Sequence, residues 1–153
     1  RWRCRAASGR RWWAATGLGA WTNTPGGQPA RLAVSGTSSI ADASVSFQSI
    51  AQWDEVGRAE DLIRLSRAVW RGRGYGDAWP YMLLAEGRLE FVAEFGVKEY
   101  DVAAVVPIIH EAGGRFTDID GTDSIGSLSS LATNGRLHDA YLSLLNDHDE
   151  TAQ

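Results

Sequence analysis

The chain has 153 residues, one domain's worth, and its 44% hydrophobic and 22% charged residues exclude extended disorder and allow a real buried core. A net charge of −4, with no Lys or Arg cluster beyond the first eleven residues, argues against a nucleic-acid-binding surface. The longest apolar run, Val102 to Ile109, is too short to span a membrane, no secretory signal pattern opens the chain, and the single Cys4 cannot close an internal disulfide, so a cytoplasmic setting is expected.

In chain order, residues 1–8 are Arg-rich without apolar periodicity and are expected to form a solvated start. From Gly9 onward, Arg10 to Trp21 mixes aromatic and small residues ahead of glycine turns, which predicts a strand and hairpin. The paired Trp12 and Trp13 are taken as sheet packing rather than as a stacking platform. Thr22 to Ala30, with Pro25-Gly26-Gly27 and Pro29, is a loop. Arg31 to Ser35 is a short strand, Ser38 to Asp42 a turn, and Val45, Phe47 and Ser49 mark a second strand. Trp53 to Trp70 has helical periodicity with Val56, Ala59, Leu62, Ile63, Ser66, Val69 and Trp70 on one face and a Glu60–Arg64 pair on the other.

Arg71 to Trp79 is glycine-rich and leads into a helix through Leu84 and Ala85, with Asp77 as its expected cap and Pro80 in its first turn. Three glycines without a P-loop lysine make a weak anion-binding signal, and a tight strand-to-helix turn explains them as well. Leu89, Phe91, Ala93 and Phe95 alternate with Glu90, Val92 and Glu94 in a strand whose second face ends in a carboxylate. A short loop from Gly96 to Tyr100 then delivers Asp101, so Glu94 and Asp101 are expected to flank one pocket. Asp101 opens a mostly apolar helix closed by Gly113, and Pro107 should bend it. By spacing alone Asp101 serves as a helix cap or as a ligand-bearing carboxylate, and neither reading is eliminated. Strands at Arg115–Asp120 and Ser129–Thr133, a helix at Arg136–Asn146 and a polar tail at 147–153 complete the chain. His110, His138 and His148 lack metal-ligand spacing and are taken as structural or surface residues. The mixed order of strands and helices predicts an α/β or α+β class.

Tyr100-Asp101-Val102-Ala103-Ala104 followed by Glu111-Ala112-Gly113-Gly114 resembles the C-terminal signature of the inositol monophosphatase family. The resemblance runs from Gly9 to Leu145. It is nearest to the histidinol-phosphate phosphatase branch through Gly9-Arg10-Arg11-Trp12-Trp13-Ala14-Ala15, Arg73-Gly74-Tyr75-Gly76-Asp77 with Trp79 and Tyr81, Ala112 to Asp118, and Leu131-Ala132-Thr133-Asn134-Gly135. It implies the C-terminal portion of a layered α/β/α/β/α sandwich over residues 9–146, Mg²⁺-dependent hydrolysis of a small phosphorylated substrate, and a homodimer when complete. Carried over by position, Asp101 matches a metal-ligand Asp, Glu94 a substrate-binding carboxylate, and Gly76, Asp77 and Ala78 the Gly-Thr-Ala region lining the substrate pocket. Tyr100 stands where Trp is commoner. The family's other metal ligands come from an upstream Glu-Glu pair and an Asp-Pro-x-Asp-Gly-Thr loop, and neither precedes Gly9. The expectation is therefore a truncated chain with no catalytic residue of its own, little activity alone and weak Mg²⁺ affinity.

Three other readings compete: an inositol-1-monophosphatase-type enzyme of other specificity, a non-catalytic remnant or half-domain needing an N-terminal partner, and a haloacid-dehalogenase-type phosphatase. The last would use Asp118 and Asp120 of Asp118-Ile119-Asp120-Gly121-Thr122 as nucleophile and acid/base. It needs a downstream lysine, and the only lysine, Lys98, lies upstream. An acidic strand end and turn accounts for both acids.

Overall fold

Large and small side chains alternate around the glycines of residues 11–23, and the expected hairpin forms there. Strand β2 (Arg11–Ala14) pairs antiparallel with β3 (Ala20–Asn23), burying Trp12, Ala14 and Ala20. The computed structural model describes residues 2–6 and 9–146. Its opening strand β1 (Trp2–Arg5) pairs with β2, so the Arg-rich start is in its described part an edge strand rather than a solvated tail. Backbone pairing supplies what apolar periodicity does not, and a charged edge strand resists further pairing. β4 (Ala30–Arg31) completes a sheet ordered β1-β2-β3-β4 and is all that forms of the strand expected over residues 31–35. The polar tail, with His148, lies outside the described residues.

The second sheet holds β5 (Ser44–Ser46), β6 (Arg71–Arg73), β7 (Phe91–Phe95), β8 (Arg115–Thr117) and β9 (Ser129–Thr133), ordered β6-β5-β7-β9-β8. β7 is central, parallel to β5 and antiparallel to β9, and all five of its residues are buried. Phe91, Ala93 and Phe95 enter one core with Trp53, Leu62, Leu65 and Tyr141, while Val92 enters the other with Trp12, Met82 and Ile109. That division places α3 (Trp79–Ala85) and α5 (Val105–Glu111) between the two sheets. α1 (Ile50–Glu55), α2 (Ala59–Ala68) and α6 (His138–Asn146) cover the far face of the second. The described residues thus form four layers of an α/β sandwich.

Two expected helices are each broken in two. Residues 53–70 break at Val56-Gly57-Arg58, where Gly57 takes φ +74°. The buried face is Trp53, Asp61, Leu62 and Leu65, whereas Val56, Ile63 and Trp70 are exposed, so the expected stripe is rotated. Asp61 can be buried because Arg58 and Arg64 both pair with it, and Arg64 joins Asp61 at 2.7 Å rather than Glu60. Both guanidinium groups also donate to the carbonyls ending α6, Arg58 to Leu145 at 2.8 Å and Arg64 to Leu144 at 2.9 Å.

The helix expected from Asp101 to Gly113 divides into α4 (Glu99–Val102) and α5. Pro107 offers no N–H and its ring crowds the carbonyl four residues earlier, so the chain breaks at Ala103-Ala104 and Pro107 falls in the first turn of α5. Gly113 (φ +91°) donates to His110 O and Gly114 to Ile109 O, both at 2.9 Å, a Schellman ending. A Cβ on Gly114 would lie 2.7 Å from Thr133 O, so this close approach to β9 admits glycine alone. Glu111 accepts from Gly17 N and Gly19 N, each at 2.8 Å, and locks the β2–β3 turn to α5.

Candidate active site

Three acids of the sequence reading, Asp77, Glu94 and Asp101, line one cleft of ≈ 370 Å³. Each arrives by a different local device. Glu94 rides on the central strand β7 and is only 3% exposed. Asp101 stands in the first turn of α4, where its Oδ2 accepts the Lys98 N–H at 2.9 Å. It therefore caps its helix from within the first turn rather than from the N-cap position, which Lys98 holds. Asp77 adopts φ +58°, a left-handed conformation that Asp tolerates better than most residues, and Ala78 rather than Asp77 occupies the N-cap of α3. Ala78 lines the cleft; Gly76 is not among the lining residues, although Gln48 lies against it.

Glu94 is the electrostatic centre of the cleft. Burial raises its pKa to about 7; the like charges of Asp77 and Asp101 add to that rise, and a hydrogen bond from Tyr81 opposes it. Tyr81 Oη donates to Glu94 Oε2 at 3.0 Å and sits 2.6 Å from Ser130 Oγ. Burial and the Glu94 carboxylate hold the phenol well above its ordinary pKa, so Tyr81 remains a neutral donor. The second carboxylate oxygen, Glu94 Oε1, is buried without a hydrogen-bond partner.

Gln48, Gln52, Tyr81 and Tyr100 also line the cleft and were not identified as site residues from sequence. One local signal was available for the glutamines: Ser49 accepts the Gln52 N–H at 3.2 Å as N-cap of α1, which puts Gln52 at a fixed place in the first turn.

The remaining candidates lie elsewhere. Asp118 Oδ1 accepts from Asp120 N at 3.0 Å and Thr122 N at 2.7 Å, so the Asp-x-Asp-Gly-Thr stretch is a self-capped turn and neither acid lines the cleft. His138 is fully buried between Thr133 (Nδ1, 2.9 Å) and Thr117 (Nε2, 3.1 Å) and ties β9 to β8. Burial lowers its pKa to about 4, helped by the charge of Arg115 and opposed by Asp139. His110 is exposed.

Asp101 offers a hard oxygen of the type Mg²⁺ takes, but among the described residues no group of three or more His, Cys, Asp or Glu is placed to hold a metal ion. The acids of the cleft do not by themselves complete a metal site. No helix among the described residues is long and apolar enough to cross a membrane.

Residues 4–150 match the family model described as "Inositol monophosphatase family". The chain is 46% identical over 140 residues to a histidinol-phosphatase of Streptomyces coelicolor, covering 92% of this chain and 53% of that protein. It is 45% identical over 137 residues to a histidinol-phosphatase of Mycobacterium tuberculosis, covering 90% and 53%. Among solved structures it superimposes on an inositol monophosphatase from Anabaena (Nostoc) with a TM-score of 0.77 at 28% identity, covering 90% of this chain and 54% of that one. The chain spans about half the length of the curated relatives it matches.

Proposed function

Because this chain belongs to the inositol monophosphatase family, we propose that it forms the substrate-facing part of a Mg²⁺-dependent phosphomonoester hydrolase whose substrate is histidinol phosphate. The observation that carries the reading is the meeting of Asp77, Glu94 and Asp101 on one cleft. Asp101 contributes one carboxylate to the metal. Glu94 and Asp77 meet the cationic amine and the imidazole of the substrate by charge-assisted hydrogen bonds, and Ala78 brings backbone close to it, while Gly76 stays outside the lining and holds the turn before Asp77. The high identity to two histidinol-phosphatases supports this substrate over inositol phosphates. The complete enzyme is taken as a cytoplasmic homodimer.

A chimera tests the proposal: this chain replaces the matching segment of the Streptomyces coelicolor histidinol-phosphatase, and phosphate release from histidinol phosphate is followed with Mg²⁺ and with EDTA. Mg²⁺-dependent turnover is expected, with Asp101→Asn abolishing it. Asp77→Asn should raise KM for histidinol phosphate by about tenfold and leave KM for an uncharged phosphomonoester nearly unchanged. A folded but inactive chimera would overturn the reading. The 153-residue chain alone is expected to hydrolyse little and to bind Mg²⁺ weakly in calorimetric titration, and tight stoichiometric binding would contradict the placing of Asp101 as a single donor.

A further inference from the structure

The two sheets are not covered alike. Helices lie on both faces of the second, whereas α3 and α5 cover the first on one side only, that of Trp12, Ala14 and Ala20. Side chains alternate along a strand, and residues opposite one another in paired strands share a face. The register therefore carries one row, Arg3, Trp13, Trp21 and Arg31, across all four strands on the other side. Arg11 and Asn23 stand opposite each other in the next row.

That side is an apolar strip held between cations. Trp13 and Trp21 wall a depression of ≈ 240 Å³ with Ala15, Leu18 and Gly19. Trp21 donates its indole N–H to Leu18 O at 3.0 Å, which leaves only apolar atoms of that ring for the wall. Leu18 is 71% exposed, unusual for a leucine beside two tryptophans. Arg3, Arg11 and Arg31 are exposed, and none of them forms an ion pair among the described residues. Glu111, the acid that reaches the β2–β3 turn, already accepts from Gly17 N and Gly19 N.

We propose that this face seats one amphipathic helix whose apolar stripe lies over Trp13, Leu18 and Trp21 and whose two flanks both carry Asp or Glu. The helix comes from a segment outside the part of the relatives that this chain matches; the chain spans about half their length. Strands lie about 4.8 Å apart, so the Cα atoms of Arg3 and Arg31 stand about 14 Å apart, against about 10 Å for a helix with its side chains. A single helix running along the strands fits between the two arginines and turns one flank to each. A second copy of the same face would set arginine against arginine, and a net charge of −4 repels a nucleic acid. The proposal is independent of the phosphatase reading, because it concerns a face that none of the acids of the cleft lines.

Thermal unfolding of the isolated chain and of the Streptomyces coelicolor chimera, each with and without Leu18→Asp, tests it without any need of turnover. The substitution should move the midpoint of the isolated chain by about 1 °C at most, since the site is exposed there. It should lower the midpoint of the chimera by about 4 °C or more, since a seated helix buries the new carboxylate. Arg3→Glu with Arg31→Glu should likewise lower the chimera more than the chain, by a margin that shrinks with added salt. Equal shifts in chain and chimera, or a rise in the chimera on charge reversal, would overturn the proposal. So would self-association of the isolated chain that Leu18→Asp dissolves, which assigns the face to a second copy, or binding of oligothymidylate that the arginine variant loses. If the chimera fails to fold, the remainder of the Streptomyces protein is titrated into the chain as a separate polypeptide. One-to-one binding weakened at least about tenfold by Leu18→Asp is then expected, and no binding would overturn the helix seat. An inactive chimera with these shifts intact would sink the phosphatase reading alone.

Discussion

Glu90 and Glu94 lie four residues apart at and just before the central strand, are 6% and 3% exposed, and differ in what they are for. Glu90 is spent on the fold. Its Oε2 accepts the Ser44 N–H at 2.6 Å and its Oε1 the Thr37 hydroxyl at 3.3 Å, while its backbone N–H and C=O bond Ser44 and Asn134. It thereby fastens β5, the loop near Thr37 and the end of β9 at one point. Glu94 satisfies one oxygen through Tyr81 and leaves the other buried without a partner, on a residue that lines a cleft with two more acids. A buried carboxylate with every partner inside the chain is structural; one left with an unpartnered oxygen and a raised pKa is the kind of group found at functional sites, in keeping with the substrate-binding role proposed for Glu94.

The largest effect expected from breaking this contrast is Glu90→Ala. It strands the buried Ser44 N–H and opens a void beside it, costing about 3–4 kcal/mol by urea denaturation. Glu94→Gln should cost nothing at neutral pH and stabilise the ligand-free chain. If the two substitutions destabilise equally, Glu94 is as structural as Glu90.

The next effect is on pH dependence. Glu94 ionises near 4.5 when unfolded and near 7 when folded, so between those values the folded state binds the extra proton and stability falls as pH rises. His138 runs the other way. Protonated near 6.5 when unfolded and near 4 when folded, it loses the folded state stability as pH falls through that window. Each contributes on the order of 2 kcal/mol, and between about pH 4.5 and 6.5 the two slopes nearly cancel. The unsubstituted chain should therefore show almost flat stability there. Glu94→Gln should unmask a rise with pH, and His138→Gln a fall. The slope is the readout, because replacing His138 also loosens the Thr117–Thr133 bridge and lowers stability at every pH.

How much of this was open to a reader of the sequence depended on how local each cause is. The β2–β3 hairpin, the alternation along β7, strand β9 and the helix that becomes α6 follow from neighbouring residues, and the structure has them where the sequence put them. The break at Val56-Gly57-Arg58 did not show, because the buried Asp61 is licensed partly by arginines anchored to carbonyls at the end of α6, some eighty positions away. The difference between Glu90 and Glu94 was hidden for the same reason: Ser44 and Thr37 reach one and not the other from distant sequence. Glu94 and Asp101 were brought to one pocket by their place after a strand and a short loop and given roles by resemblance, as Asp77 was, while Gln48 and Gln52 reach the cleft only through the tertiary fold.

The smallest expected effect concerns Asp101, which shares the cleft with Glu94 but has a structural task besides. Its Oδ2 accepts the Lys98 N–H, which joins the backbone bonds Asp101 N to Lys98 O and Ala103 N to Glu99 O in holding the four-residue helix α4. Asp101→Ala should cost about 0.5–1 kcal/mol, the usual worth of such a cap, whereas Asp101→Asn keeps an acceptor oxygen and should cost only a few tenths. The same pair separates capping from metal binding. In the active chimera both substitutions should abolish turnover, since an amide oxygen is a poor substitute for a carboxylate on Mg²⁺, although their stabilities differ. If Asp101→Asn instead keeps full turnover, the cap is all that Asp101 provides, and the contrast between spent and reserved carboxylates in this cleft narrows to Glu94.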